Sequence, residues 1–159
     1  MKKLSAIFFS SATLCIVLAM AAQAATPKDV MLVLDNSGSM RKNDPQFLAS
    51  GAIAAFINTL DSNYRAGVII FDQKVKLAVP FTAVDEASKA LLVASLDSIN
   101  YRGQLTDSPA AVERAIYELK TNARAGTDQL IIFMTDGIVD TGNPAADVEK
   151  TKWLREELA

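Results

Sequence analysis

Asp35, Ser37 and Ser39 put a carboxylate and two hydroxyls at alternate positions of Asp35-Asn36-Ser37-Gly38-Ser39, directly after the apolar run Val30-Met31-Leu32-Val33-Leu34. Where a buried strand gives way to a loop, three such oxygens can converge on one point. Donors of this kind suit a hard cation. Magnesium takes a near-octahedral oxygen shell and keeps some of its water, whereas zinc or copper would want imidazole or thiolate. The chain has no histidine. A second carboxylate for the same ion is available in Thr135-Asp136-Gly137, and a further hydroxyl in Thr106, in the polar loop ahead of Pro109.

These residues meet only if their elements are neighbours. Residues 29–34 read as a strand buried on both faces, because the run is apolar without alternation. Asp44 and Pro45 predict a helix start, followed by Leu48, Ala52, Phe56 and Leu60 at helical spacing with Ala49, Ile53 and Ile57 beside them. Residues 66–71 form a second buried strand, and Asp72-Gln73 links it to residues 74–79, whose alternation marks an antiparallel edge strand. Helices are predicted over residues 85–99, with Leu92, Leu96 and Ile99 inward, and from Ser108-Pro109, with Val112, Ile116 and Leu119 inward. Residues 129–134 give a third buried parallel strand. Asn143-Pro144 opens a last helix carrying Val148, Trp153, Leu154 and Leu158.

This order defines a doubly wound, Rossmann-like α/β fold: a mostly parallel sheet with one antiparallel edge strand and helices on both faces. If the first and last connections wind to opposite sides of the first strand, Asp35 and Asp136 flank the topological switch point, where open α/β sheets bind ligands. Asp35, Ser37, Ser39, Asp136 and Thr106 then share one rim. The final helix would normally cross over to another strand, so the fold reads as truncated at its C-terminal end, with the strand over residues 130–134 as an uncovered edge open to self-association. Trp153 is expected to pack under the part of the fold that would follow.

With D-x-S-x-S after the first strand, a loop threonine before a helix and T-D-G after a later strand, the chain resembles a von Willebrand factor type A domain from about Lys28 onward. The resemblance implies a metal-ion-dependent adhesion site made of Asp35, Ser37, Ser39, Thr106 and Asp136. It further implies Mg2+, or Mn2+, with the hydroxyls bound directly, the aspartates partly through water, and an Asp or Glu side chain of a protein partner completing the octahedron. Two aspartates already balance a dication, and a third anion from the protein would weaken the pull on that partner carboxylate. The family usually has glycine before the loop threonine. This chain has Leu105 there, with Gly103 two residues earlier.

Composition narrows the chemistry further. The N-terminus has Lys2 and Lys3, an apolar segment and Ala22-Gln23-Ala24, the order of a secretory signal peptide cleaved after Ala24. The domain is then residues 25–159, with 14 basic against 18 acidic residues and no basic patch for nucleic acid. Cys15, the single cysteine, would leave with the signal peptide. Thiol catalysis, histidine triads and ordinary zinc sites are thereby excluded.

The expected function is an exported, metal-dependent protein-binding module of adhesion type, periplasmic, cell-surface or secreted, and not an enzyme. Any membrane anchor would follow residue 159. One alternative is a magnesium-dependent hydrolase of phosphatase type, but D-x-D-x-T is required and Ser37 stands where the second aspartate should be. Ser39-Met40-Arg41-Lys42 matches S-x-x-K without S-D-N or K-T-G. Another alternative is a structural domain with a vestigial metal site. Asp72 and Asp140 read as solvated rim residues, while Arg41 and Lys42 either attract an acidic partner or form a solvated face.

Overall fold

The computed structural model describes residues 26–137 and 139–157, so the expected signal peptide and Leu158 lie outside the described residues, as does the side chain of Leu154. Strands β1 (Lys28–Asp35), β2 (Tyr64–Phe71), β3 (Val75–Ala83) and β4 (Asp128–Met134) form one sheet in the order β3-β2-β1-β4. β1 runs parallel to β2, from Lys28 opposite Tyr64 to Asp35 opposite Phe71. On its other side β1 runs parallel to β4, with Leu34 opposite Met134. β3 is antiparallel to β2. Pro80 lies in β3, where an edge tolerates a residue that cannot donate to the ladder.

Among the described residues five α-helices surround this sheet: α1 (Met40–Asn43), α2 (Leu48–Thr59), α3 (Glu86–Ser95), α4 (Ser108–Asn122) and α5 (Pro144–Glu157). The period-2 alternation of β1 divides the core. Val30, Leu32 and Leu34 face Ile53 and Ile57 of α2 and Leu92 of α3, whereas Met31 and Val33 face Ala111 and Ala115 of α4 on the opposite side. Residues 30–33 of β1 are completely buried. Truncating one of them, as in Leu32→Ala, should cost about 2–5 kcal/mol.

Several elements differ from the sequence reading. α2 starts at Leu48 rather than at Pro45, because the Asp44 carboxylate reaches forward to the Leu48 and Ala49 amides at 2.7 and 2.9 Å. Leu48 itself is 67% exposed, and the inward face of α2 is set by Ile53 and Ile57. Residues 40–43 form α1 where a loop was expected. β3 begins at Val75, after a turn closed by the Lys74 amide donating to Asp72 Oδ1 at 2.9 Å, and it runs on to Ala83. The helical stretch after Asp85 tightens into a 3-10 turn at Leu96–Ser98. β4 is only half-buried at best, with Leu130 45% exposed, because β1 covers one of its edges alone. Trp153 is half-buried and lines a cleft with Pro109, Ala110 and Glu113 of α4.

Candidate metal centre

The C-terminal ends of β1 and β4 lie side by side in the sheet, and the polar motifs continue directly from them. Asp35 is the last residue of β1 and is 2% exposed. Its Oδ1 accepts the Ser37 amide at 2.7 Å, a local turn that lifts the chain away from the strand. Its Oδ2 accepts the Thr135 hydroxyl at 2.8 Å, which ties the first motif to the third. Burial raises the Asp35 carboxyl above its ordinary value; hydrogen bonds from Ser37 and Thr135 oppose that shift and the charge of Asp136 adds to it. Two carboxylates are held where a cation would relieve both their burial and their repulsion.

Ser37 and Ser39 place their hydroxyl oxygens 3.0 Å apart. Ligands at about 2.1 Å from a magnesium ion define an octahedral edge of about 3 Å, so this spacing fits two adjacent positions of one shell. Ser39 leads into α1, and Asn43 at the end of α1 donates to Asp136 Oδ2 at 3.0 Å. Asp35, Ser37, Ser39 and Asp136 are thus linked through Thr135, Asn43 and the serine pair. Among the described residues no group of three or more His, Cys, Asp or Glu side chains is close enough to hold a metal. A metal here would therefore depend on hydroxyl as well as carboxylate donors.

Thr106 reaches the rim by backbone pairing. Its amide donates to the Asp140 carbonyl at 2.6 Å, and the Asp140 amide returns a bond to Thr106 at 3.0 Å. The next residue, Asp107, donates its amide to the Asp72 carbonyl at 2.9 Å and caps α4 through Ala110 at 3.2 Å. The Asp107 carboxylate also meets Lys150 of α5 at 3.0 Å. Thr106 is 3% exposed. Asp72 and Asp140 thus hold the Thr106 loop through their main-chain carbonyls, while their carboxylates accept the Lys74 and Gly142 amides in local turns.

The loop carrying Thr106 is fixed to the first motif at its other end. Asn36 Oδ1 accepts the Asn100 and Tyr101 amides at 2.7 and 2.8 Å. The Gly38 amide donates to the Gly103 carbonyl at 2.7 Å, and the Gly103 amide donates to Asn36 at 3.1 Å. A side chain at Gly103 would collide with Asp72 and come within 3.0 Å of the Asn36 carbonyl. The close approach that needs a glycine is therefore made at Gly103, while Leu105 lies beside Gly142. Thr135, Asn43 and Asn36 are the supporting residues that the sequence reading did not single out.

A mostly parallel sheet wound on both faces, with polar loops gathered at the adjacent ends of β1 and β4, defines a doubly wound α/β domain with its topological switch point there. The family model for the von Willebrand factor type A domain matches residues 30–138, and the chain belongs to that family. A comparison with curated protein sequences finds no match. Among solved structures, a von Willebrand factor type A protein from Catenulispora acidiphila has TM-score 0.67 at 19% identity, covering 79% of this chain and 30% of that one. The pilus adhesin of Streptococcus pneumoniae has TM-score 0.58 at 19% identity, over 72% of this chain and 21% of that one. An aerotolerance-related membrane protein from Bacteroides fragilis has TM-score 0.57 at 25% identity, over 79% and 62%. The match thus spans less than a third of the first two of these proteins.

Proposed function

We propose that this chain is an exported, metal-dependent protein-binding module of adhesion type. Asp35, Ser37, Ser39, Thr106 and Asp136 hold Mg2+, with Mn2+ as a substitute, and an Asp or Glu side chain of a protein partner completes the coordination. The observation that carries this reading is the Ser37–Ser39 hydroxyl pair, 3.0 Å apart where Asp35 ends β1 and Asp136 follows the end of the adjacent β4. The ion would supply a positive point for an incoming carboxylate and offset the repulsion between the two aspartates; the protein's own residues would orient it. The neighbours described as pilus adhesins share the fold and support an adhesion-type role.

Export follows from the N-terminal pattern, with cleavage after Ala24 and a mature domain from Ala25. The module binds and does not turn over a substrate. Titration calorimetry of Mg2+ into the mature chain, beside Asp136→Ala, tests the reading. Saturable binding that the substitution abolishes is the expected result, with acetate added as a surrogate for the partner carboxylate. A folded protein that binds no Mg2+ even with acetate would leave a structural domain without a working metal site.

A further inference from the structure

Around the candidate metal centre the rim carries positive as well as negative charge. Arg41 and Lys42 follow Ser39 in α1, and Arg102 lies in the loop that pairs with Asn36 and Gly38 through Gly103. The Arg41 guanidinium donates to the Tyr101 carbonyl at 3.1 Å, which brings α1 against that loop immediately beside Arg102. All three basic residues are exposed. Among the described residues none of the three forms an ion pair.

The nearby carboxylates are already engaged. Asp44 accepts the Leu48 and Ala49 amides and the Tyr101 hydroxyl, Asp35 accepts Ser37 and Thr135, and Asp136 accepts Asn43. The helix dipole favours Arg41 and Lys42 near the end of α1, but α1 is four residues long and Arg102 is not on it. Asp35 and Asp136 would neutralise a dication between them. Asp72, whose side chain lies against Gly103, and Asp140, paired with Thr106, add carboxylates elsewhere on the rim. Arg41, Lys42 and Arg102 make the side formed by α1 and the adjoining loop basic, and a basic patch steers and selects partners of opposite sign.

On the metal-dependent reading above, we propose that the docking segment of the protein partner is acidic beyond its metal-binding side chain. At least one further Asp or Glu beside that residue faces Arg41, Lys42 and Arg102. The ion fixes one carboxylate, and the basic residues distinguish an acidic segment from an isolated acid.

Two labelled Gly/Ser peptides test this on the purified exported protein in Mg2+, one carrying a single Asp and the other the same Asp followed by two Glu. Fluorescence anisotropy should give about five- to tenfold tighter binding of the acidic peptide, the size expected of a few exposed charge pairs acting together. High salt should reduce that advantage, and Lys42→Glu with Arg102→Glu should remove it. The neutral pair Lys42→Gln with Arg102→Gln, checked for native circular dichroism, should remove it as well. Both peptides should lose binding in EDTA and in Asp136→Ala. Equal affinities with metal dependence intact would overturn the proposal and leave the metal reading standing. Failure of both peptides, or binding indifferent to EDTA, would overturn the metal reading and the proposal with it.

Discussion

The Tyr101 hydroxyl donates to Asp44 Oδ2 at 2.6 Å, joining the loop before Thr106 to the start of α2 across the interior of the domain. Tyr101 is 1% exposed, has φ of 53°, and stacks on Phe47 with ring centroids 4.6 Å apart. A left-handed backbone at a tyrosine persists only where the surroundings over-determine it. Tyr101→Phe keeps the ring and leaves a buried carboxylate short of one bond. Urea unfolding should show a loss of about 1.5–3 kcal/mol.

The same bond makes stability pH-dependent. Burial raises the Asp44 carboxyl, but hydrogen bonds from Tyr101, Ala49 and Leu48 outweigh it and leave the group below its ordinary value of 3.8. A carboxyl held lower in the folded state stabilises fully above its unfolded value and loses that stabilisation as pH falls through the folded one. Asp44→Asn should therefore be less stable than the wild type at neutral pH. The difference between the two should narrow below pH 3.8 in acid titrations followed by circular dichroism.

Gly103 is the position where added bulk should hurt most. Gly103→Ala forces a methyl into the Asp72 side chain and toward the Asn36 carbonyl. The expected cost is about 1–3 kcal/mol in thermal or urea unfolding. Mg2+ affinity should fall too, since Gly103 fixes the loop that carries Thr106. Gly51, with nothing within 4 Å of an added Cβ, supplies the control: Gly51→Ala should leave affinity unchanged and stabilise α2 slightly.

Metal and stability should move together in the wild type and separate in Asp136→Asn. Mg2+ at about one hundred times its Kd should stabilise the folded wild type by about 2.7 kcal/mol. The variant should gain nothing from Mg2+. In EDTA it should melt no lower than the wild type, because it lacks one of two carboxylates that repel one another. Differential scanning calorimetry with and without metal reads both effects.

β4 is the outer strand of the sheet on one side, and Leu130 on it is 45% exposed. A partly apolar edge of this kind pairs readily with a second copy. Sedimentation velocity should show concentration-dependent self-association of the chain. Leu130→Lys should weaken it, as edge charges commonly do; a strictly monomeric wild type would refute this.

What could be read from the sequence follows from physical signals of different range. β1 and β2 were legible because strands covered on both faces must be apolar without interruption. D-x-S-x-S and T-D-G were legible because each is local to a strand end. The start of α2 was misplaced because Asp44 caps it from a turn away, through a left-handed Phe47 that no residue type announces. The bonds from Thr135, itself part of T-D-G, and from Asn43 were not read because their partners, Asp35 and Asp136, are remote in sequence and a single hydroxyl or amide leaves no periodic trace. The exposure of β4 depended on its neighbours in the sheet rather than on its own composition.

The bond from Thr135 to Asp35 closes a separation of one hundred residues, and Asn43 to Asp136 closes 93. Contacts so distant form late, because the entropy of closing a long loop must be met before they contribute. β1, β2 and β3 are contiguous enough to assemble first, with Asp35 and the two serines already on their turn. The second carboxylate arrives only when β4 docks. On the metal reading proposed above, competence to take up an ion would therefore report on the completion of folding.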